Sequence, residues 1–166
     1  MLPVVINPQM ARIGLAGEGE PLVRRAAVLA GAAVEPVSVA ENTSQEALRG
    51  LSLLFVAGLE APESLAARAR AAGVLVNVED RPELCDFHVP AMVRRGDLVF
   101  TVSTGGRSPG LARRLRQWLE RRFGAEWEGR LGELGAARSR WRDEGLPPGE
   151  VSERTVRMIG ERGWLP

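Results

Sequence analysis

The sequence predicts an α/β protein: a doubly wound parallel sheet with helices on its faces, followed by a helical region. Three observations carry this. Apolar runs alternate with helix-period segments, joined by short connections, across residues 11–78, which is the pattern of a parallel sheet. A glycine cluster, Gly17-Glu18-Gly19, stands where the first run gives way to the first helix. From Gly110 onward the apolar positions keep helical spacing.

Residues 11–16, Ala-Arg-Ile-Gly-Leu-Ala, read as the first strand. Residues 20–32 follow as a helix, with apolar positions at Leu22, Val23, Ala26, Ala27, Leu29 and Ala30. Val34 to Val39 is a second strand, and Thr43 to Leu51 a short helical stretch. Residues 52–58 are almost continuously apolar, as a strand covered on both faces requires. Pro62 to Ala72 is a helix with Pro near its start and Gly73 after its end. Residues 74–78 form the fourth strand. Residues 81–97 read as irregular and charged, and residues 97–104 as a strand entering Gly105-Gly106-Arg107-Ser108-Pro109. Leu111, Leu115, Trp118, Leu119 and Phe123 share one helix face. Trp127, Leu131, Leu134 and Ala137 share a second, Gly145 to Gly149 is a break, and Val151 to Gly163 a last helix.

A chain of 166 residues makes one compact domain or two small ones. Its net charge of +1 argues for no nucleic-acid partner. Residues 1–106 hold 9 Arg against 12 acids, and residues 107–166 hold 13 Arg against 9 acids and all four Trp. That basic half reads either as a solvated surface of ion pairs or as a rim for an anionic ligand. All 22 basic residues are Arg, which excludes a Schiff-base lysine and a P-loop lysine. A single Cys, Cys85, excludes an internal disulfide, and a single His, His88, excludes a His-rich metal site, so no metal is expected. No apolar run approaches the roughly 20 residues of a membrane span. No signal segment opens the sequence, so the cytoplasm is the expected compartment.

Ligands of doubly wound sheets sit beyond the carboxyl ends of the strands. That rule selects Gly17–Gly19, Ala57–Glu60 and Asn77–Asp80. Gly17 and Gly19 would let backbone N–H groups approach a pyrophosphate, or would merely permit a tight turn. Glu41, near the end of the second strand, is the candidate ribose-binding acid or a surface loop acid.

Two further segments are more specific: Asn77-Val78-Glu79-Asp80-Arg81-Pro82 with Phe87-His88-Val89-Pro90, and Ser103-Thr104-Gly105-Gly106-Arg107-Ser108-Pro109 with Leu111-Ala112-Arg113. Together they closely resemble the precorrin-2 dehydrogenase and sirohydrochlorin ferrochelatase family, the N-terminal module of siroheme synthase. The glycine cluster fits that family's turn, with Arg24 in register, and the resemblance spans roughly residues 2–123. It implies a Rossmann-like domain (1–80), a small dimerisation and active-site region (81–109) and a C-terminal helical region (110–166), in a homodimer. The implied reaction is NAD-dependent oxidation of precorrin-2 to sirohydrochlorin. Ferrochelation, alone or as a second activity, and non-catalytic tetrapyrrole binding are the alternatives. Since the sequence stops at Pro166, the methyltransferase module of some relatives is expected to be another protein.

Residue by residue, the resemblance implies that Asp80 is the catalytic aspartate, acting as base or orienting the substrate. Partial burial would suit it to proton transfer. Glu20 and Pro21 would approach NAD, with Glu41 and Asn42 near a second nucleotide contact. Thr104 would line the tetrapyrrole cleft beside Gly105, Gly106 and Ser108. Arg95, Arg107 and Arg113 would pair with substrate carboxylates, whereas Arg94 and Arg114 read better as a solvated face. His88 would be structural or accept a pyrrole proton. Two departures lie at the nucleotide site. Glu18 and Leu22 replace small residues, Leu22 being expected to push helix and strand apart. The third strand ends Ala57-Gly58-Leu59-Glu60, where relatives carry polar residues.

Overall fold

A computed structural model describes residues 2–165. The chain forms two compact units, Met1–Val89 and Pro90–Pro166. In the first, strands β1 (Ile13–Gly17), β2 (Val37–Val39), β3 (Leu53–Ala57) and β4 (Leu75–Val78) alternate with helices α1 (Gly19–Ala30), α2 (Gln45–Leu48) and α3 (Glu63–Ala71). All pairings are parallel, in the order β2-β1-β3-β4. This is the Rossmann-like α/β sheet that the alternation predicts.

The sheet is covered on both sides. One face carries Val39, Leu48, Leu54, Val56, Leu65, Ala66 and Ala69, packed under α2 and α3. The other carries Ile13, Leu15, Leu29, Leu53 and Phe55 under α1. Leu22 packs into this second cluster, so the core absorbs the large residue at the turn. Strand β2 is shorter than its apolar run. Val34 N–H donates to Leu29 O at 3.0 Å, and Ala33 has φ 56, so these residues finish α1 instead of entering the sheet.

The open edge of β4 is covered by the segment after it. A short 3₁₀ turn, Pro82–Leu84, sends the chain back along the strand. Asp86 N–H donates to Val76 O, and Asp86 Oδ2 accepts from Val76 N–H, both at 2.8 Å. Cys85 Sγ accepts from Val78 N–H at 3.3 Å. The cysteine thus closes an edge that would otherwise expose unpaired backbone.

The second unit opens with an antiparallel hairpin, β5 (Ala91–Arg95) and β6 (Leu98–Val102). Strand β5 corrects the expectation of an irregular stretch up to residue 97. Its signal was the two-residue turn Gly96-Asp97, with Gly96 at φ 57. Helices α4 (Pro109–Arg122), α5 (Glu126–Asp143) and α6 (Pro148–Glu161) complete the unit. Helix α6 starts three residues before the expected Val151, because Pro148 occupies the first helical position where its missing N–H costs nothing. Phe100, Phe123 and Trp127 stack with centroids 4.4 and 5.1 Å apart.

Candidate functional site

The chain leaves β1 toward one sheet edge and returns to place β3 on its other side, so the carboxyl ends of β1 and β3 form the topological switch point. Two loops meet there backbone to backbone. Glu18 N–H donates to Ala57 O at 3.1 Å. A Cβ on Gly17 (φ 138) would overlap Ala57 O, and one on Gly58 (φ 79) would overlap Glu18 O. Gly17 and Gly58 therefore make one clasp. The departure at the third strand end is structural: a side chain at position 58 would strike the glycine turn.

Beyond the clasp, α1 presents its N-terminus. Pro21 carries no N–H, and Glu18 N–H is spent on Ala57 O, leaving the amides of Gly19 and Glu20 unsatisfied by the helix. Arg24 lies 3.7 Å from Glu20 and 3.8 Å from Glu79, offsetting both acids. The side chain of Glu18 is exposed and makes no cap. In the loop after β2, Arg68 Nε donates to Thr43 O at 3.0 Å and its Nη2 donates to Glu41 O, fixing the loop that bears Glu41 and Asn42, both exposed. Two amides left unbonded by the helix at its N-terminus, an arginine beside two acids and an exposed carboxylate at the same end of the sheet are compatible with a dinucleotide.

The second constellation lies beyond β4. Glu79 N–H donates to Val56 O at 2.9 Å, extending the ladder by one bond. Asp80 follows with φ 60, a left-handed turn conformation that aspartate adopts more readily than most side chains. The next residue is clamped. Arg81 binds Glu63 at 2.6 Å and Glu83 at 2.5 Å. Backbone N–H donation at the start of α3, then Arg81, holds the Glu63 carboxyl below the usual range. Arg81 does the same for Glu83, and Glu83 and Glu63 push the Arg81 guanidinium up. From α3, Arg70 holds Asp86 at 2.9 and 3.1 Å and donates to Leu84 O at 2.8 Å. Asp80 thus projects from between two anchored segments.

Beside it lies a cleft of about 370 Å³ lined by Arg25, Asn77, Glu79, Asp80, Cys85 and His88, among others. Asp80 and His88, far less specific apart, line one cavity. Asp80 is exposed, contrary to the expectation of partial burial, because it caps a turn at the sheet's end with no helix over it. Asn77 is only 6% exposed; its Nδ2 donates to Phe87 O at 2.9 Å and its Oδ1 has no partner among the described residues.

Thr104 to Ser108 belong to the second unit and form the turn into α4. Thr104 Oγ1 accepts from Ser108 N–H at 3.2 Å, and Ser108 Oγ caps α4 through Leu111 N–H at 3.3 Å. Gly105 and Gly106 have positive φ, and Arg107 and Arg113 are exposed. Arg95 is otherwise engaged: Nε donates to Phe123 O at 2.8 Å and Nη2 to Glu120 O at 3.1 Å, satisfying the last carbonyls of α4. That removes it from the carboxylate-binding candidates. The expected single apolar face of α4 divides as well. Phe123 is half-buried, whereas Leu111, Leu115 and Trp118 are exposed.

Among the cleft residues to which the sequence reading gave no role, Asn77 lay within the selected Asn77–Asp80 segment and Arg25 lay outside every selected segment. Asn77 carried a signal, being a lone polar residue in a strand otherwise apolar. Arg25 carried none beyond its place beside Arg24.

A parallel sheet with a clasped glycine turn at its switch point defines a protein of the nucleotide-binding α/β class. The family described as "Putative NAD(P)-binding" matches residues 4–91. Siroheme synthase of Methylococcus capsulatus is 38% identical over 141 residues, covering 72% of this chain and 30% of that protein. Siroheme synthase of Nitrosomonas europaea is 34% identical over 166 residues, covering 86% of this chain and 34% of that protein. The chain spans about a third of the length of these relatives. A solved structure titled "SirC, precorrin-2 dehydrogenase" shares the fold, with a TM-score of 0.76 at 18% identity over 96% of this chain and 89% of that one. The chain belongs to the putative NAD(P)-binding family and is similar to about a third of the length of siroheme synthases.

Proposed function

We propose that this protein oxidises precorrin-2 to sirohydrochlorin with NAD⁺ in siroheme biosynthesis. The observation that carries the reading is Asp80, held at φ 60 on the rim of a cleft it shares with His88, one strand from the switch point. The oxidation removes a hydride and a proton from the tetrapyrrole. A bound nicotinamide supplies the hydride acceptor. The chain's own part is to hold the dinucleotide and to take the proton. Gly19 and Glu20 N–H groups would receive the diphosphate, and Glu41 a ribose hydroxyl. Gly17 shapes the turn that Glu20 and Pro21 continue, with Asn42 beside Glu41. The Asp80 carboxylate accepts the proton, the Arg81 clamp fixing its height above the sheet. Thr104, Gly105, Gly106, Arg107, Ser108 and Arg113 are proposed to bind substrate. A homodimer is part of the same reading, supported by the exposed face of Leu111, Leu115 and Trp118.

Asp80→Ala is expected to lower turnover of precorrin-2 by about 10²–10⁴-fold with an unchanged melting temperature. Absence of NADH formation by the unaltered protein with intact precorrin-2 would sink the proposal. Tight calorimetric binding of NAD⁺ would count against a mere tetrapyrrole binder. One observation favours a second activity: His88 and Asp80 line the same cleft and offer two acceptors for pyrrole protons as Fe²⁺ enters sirohydrochlorin. Insertion of Fe²⁺ or Co²⁺ in the absence of NAD⁺, lost in Asp80→Ala, tests it.

A further inference from the structure

Resting on the tetrapyrrole reading of the Asp80 cleft, we infer that Arg25 is a substrate-specificity residue that takes a peripheral carboxylate of the ring. Arg25 lies on the second turn of α1, and its guanidinium sits 5.3 Å from the centroid of the Phe55 ring. Phe55 is itself buried and braced edge-on by Phe87, centroids 5.3 Å apart. Stacking on an aromatic face orients a guanidinium while leaving the N–H groups at its rim free. No carboxylate lies within ion-pair distance of Arg25 among the described residues. Its neighbours at this end of the sheet are all engaged: Arg24 with Glu20 and Glu79, Arg68 with loop carbonyls, Arg81 with Glu63 and Glu83. Arg25 is therefore a positioned cation with unused donors on the wall of a cleft.

Asn77, more than nine-tenths buried, also lines this cleft, and its Oδ1, like the Oε2 of Glu79 beside it, has no hydrogen-bond partner among the described residues. A buried carbonyl oxygen without a donor is costly unless a ligand supplies one. A cation and an acceptor in one cavity call for a ligand bearing carboxylates and N–H groups, which a reduced tetrapyrrole has. The diphosphate of a dinucleotide is the other anion at hand. It is disfavoured because no residue of the Gly17–Gly19 turn lines this cleft.

The test compares Arg25→Met and Arg25→Lys with the unaltered protein, titrating sirohydrochlorin and NAD⁺ separately and following turnover of precorrin-2. Loss of a charge-assisted pair predicts a rise of about 10- to 100-fold in sirohydrochlorin Kd and in precorrin-2 KM for Arg25→Met. The NAD⁺ Kd and kcat should stay within about twofold, and Arg25→Lys should recover part of the loss. The methyl ester of sirohydrochlorin, lacking the charges, should bind Arg25→Met and unaltered protein alike. An unchanged sirohydrochlorin Kd in a folded Arg25→Met variant overturns the inference and leaves the functional reading standing. A loss confined to NAD⁺ also overturns it, by moving Arg25 to the dinucleotide. Failure of the unaltered protein to bind sirohydrochlorin at all removes the functional reading itself.

Discussion

The two units hold themselves together differently. Of the 21 buried apolar residues among the described residues, all but Val93, Ala137 and Val151 belong to the sheet unit. The second unit keeps its four Trp half-buried or exposed and relies on caps and stacked cations. Arg95 closes the end of α4, and Arg130 lies 4.9 and 5.5 Å from the Trp127 and Trp164 rings. Burial scales with apolar area removed from water, whereas caps and half-exposed pairs each contribute about 1 kcal/mol. The sheet unit is thus the better-buried platform, and Asp80 projects from the end of its β4 strand.

Four measurements would sharpen or break this contrast. The largest effect is expected for Leu54→Ala, in β3 and fully buried. It should cost about 2–5 kcal/mol in denaturant titration, against about 1–2 kcal/mol for Val93→Ala; equal losses would dissolve the distinction. Gly58→Ala comes next. Its Cβ would meet Glu18 O, so the clasp must open at a cost of about 1–3 kcal/mol, and NAD⁺ affinity should fall with it. Arg95→Met should lower stability by about 1 kcal/mol, read as a shift in melting temperature. Gly132→Ala, in the interior of α5 with nothing near its Cβ position, should raise stability by about 0.5–1 kcal/mol. A loss there would mean that something packs against that face.

A smaller effect concerns acid. Glu63 and Glu83 have carboxyls held below the usual range. Their contribution is present above the ordinary glutamate pKa and is lost as pH falls through the lowered folded values. Melting temperature measured downward from about pH 5 should therefore fall more steeply for the unaltered protein than for Arg81→Met. Glu63 retains part of its slope in the variant through the helix-start amides. Parallel curves would show that Arg81 does not clamp the Asp80 turn.

Legibility followed distance along the chain. The four strands and their helices were readable because each is a local periodicity of apolar residues. The Asp80 and Thr104 segments were readable as local patterns carrying a family resemblance. Strand β5 was missed because its charges and short length masked the alternation, although Gly96-Asp97 marked the turn. Ser108, read from the sequence only as part of the cleft segment, is also the cap of α4, which begins one residue before the expected Gly110. The partial burial expected of Asp80 failed because exposure depends on what lies above a strand end, which no local pattern records.

From the sequence by itself came the fold class, the order of elements in the sheet unit, the position of the glycine turn and the family. Each follows from residues a few positions apart, where propensity, periodicity and spacing act. Only the tertiary structure decided that Gly58 answers Glu18, that Arg95 closes α4, and that Arg25 stands with Asn77 and His88 around the Asp80 cleft. Those are contacts between residues separated by about 25 to 60 positions, made when the strands pair and the helix lies down on the sheet, and the free energy that selects them belongs to the packed whole.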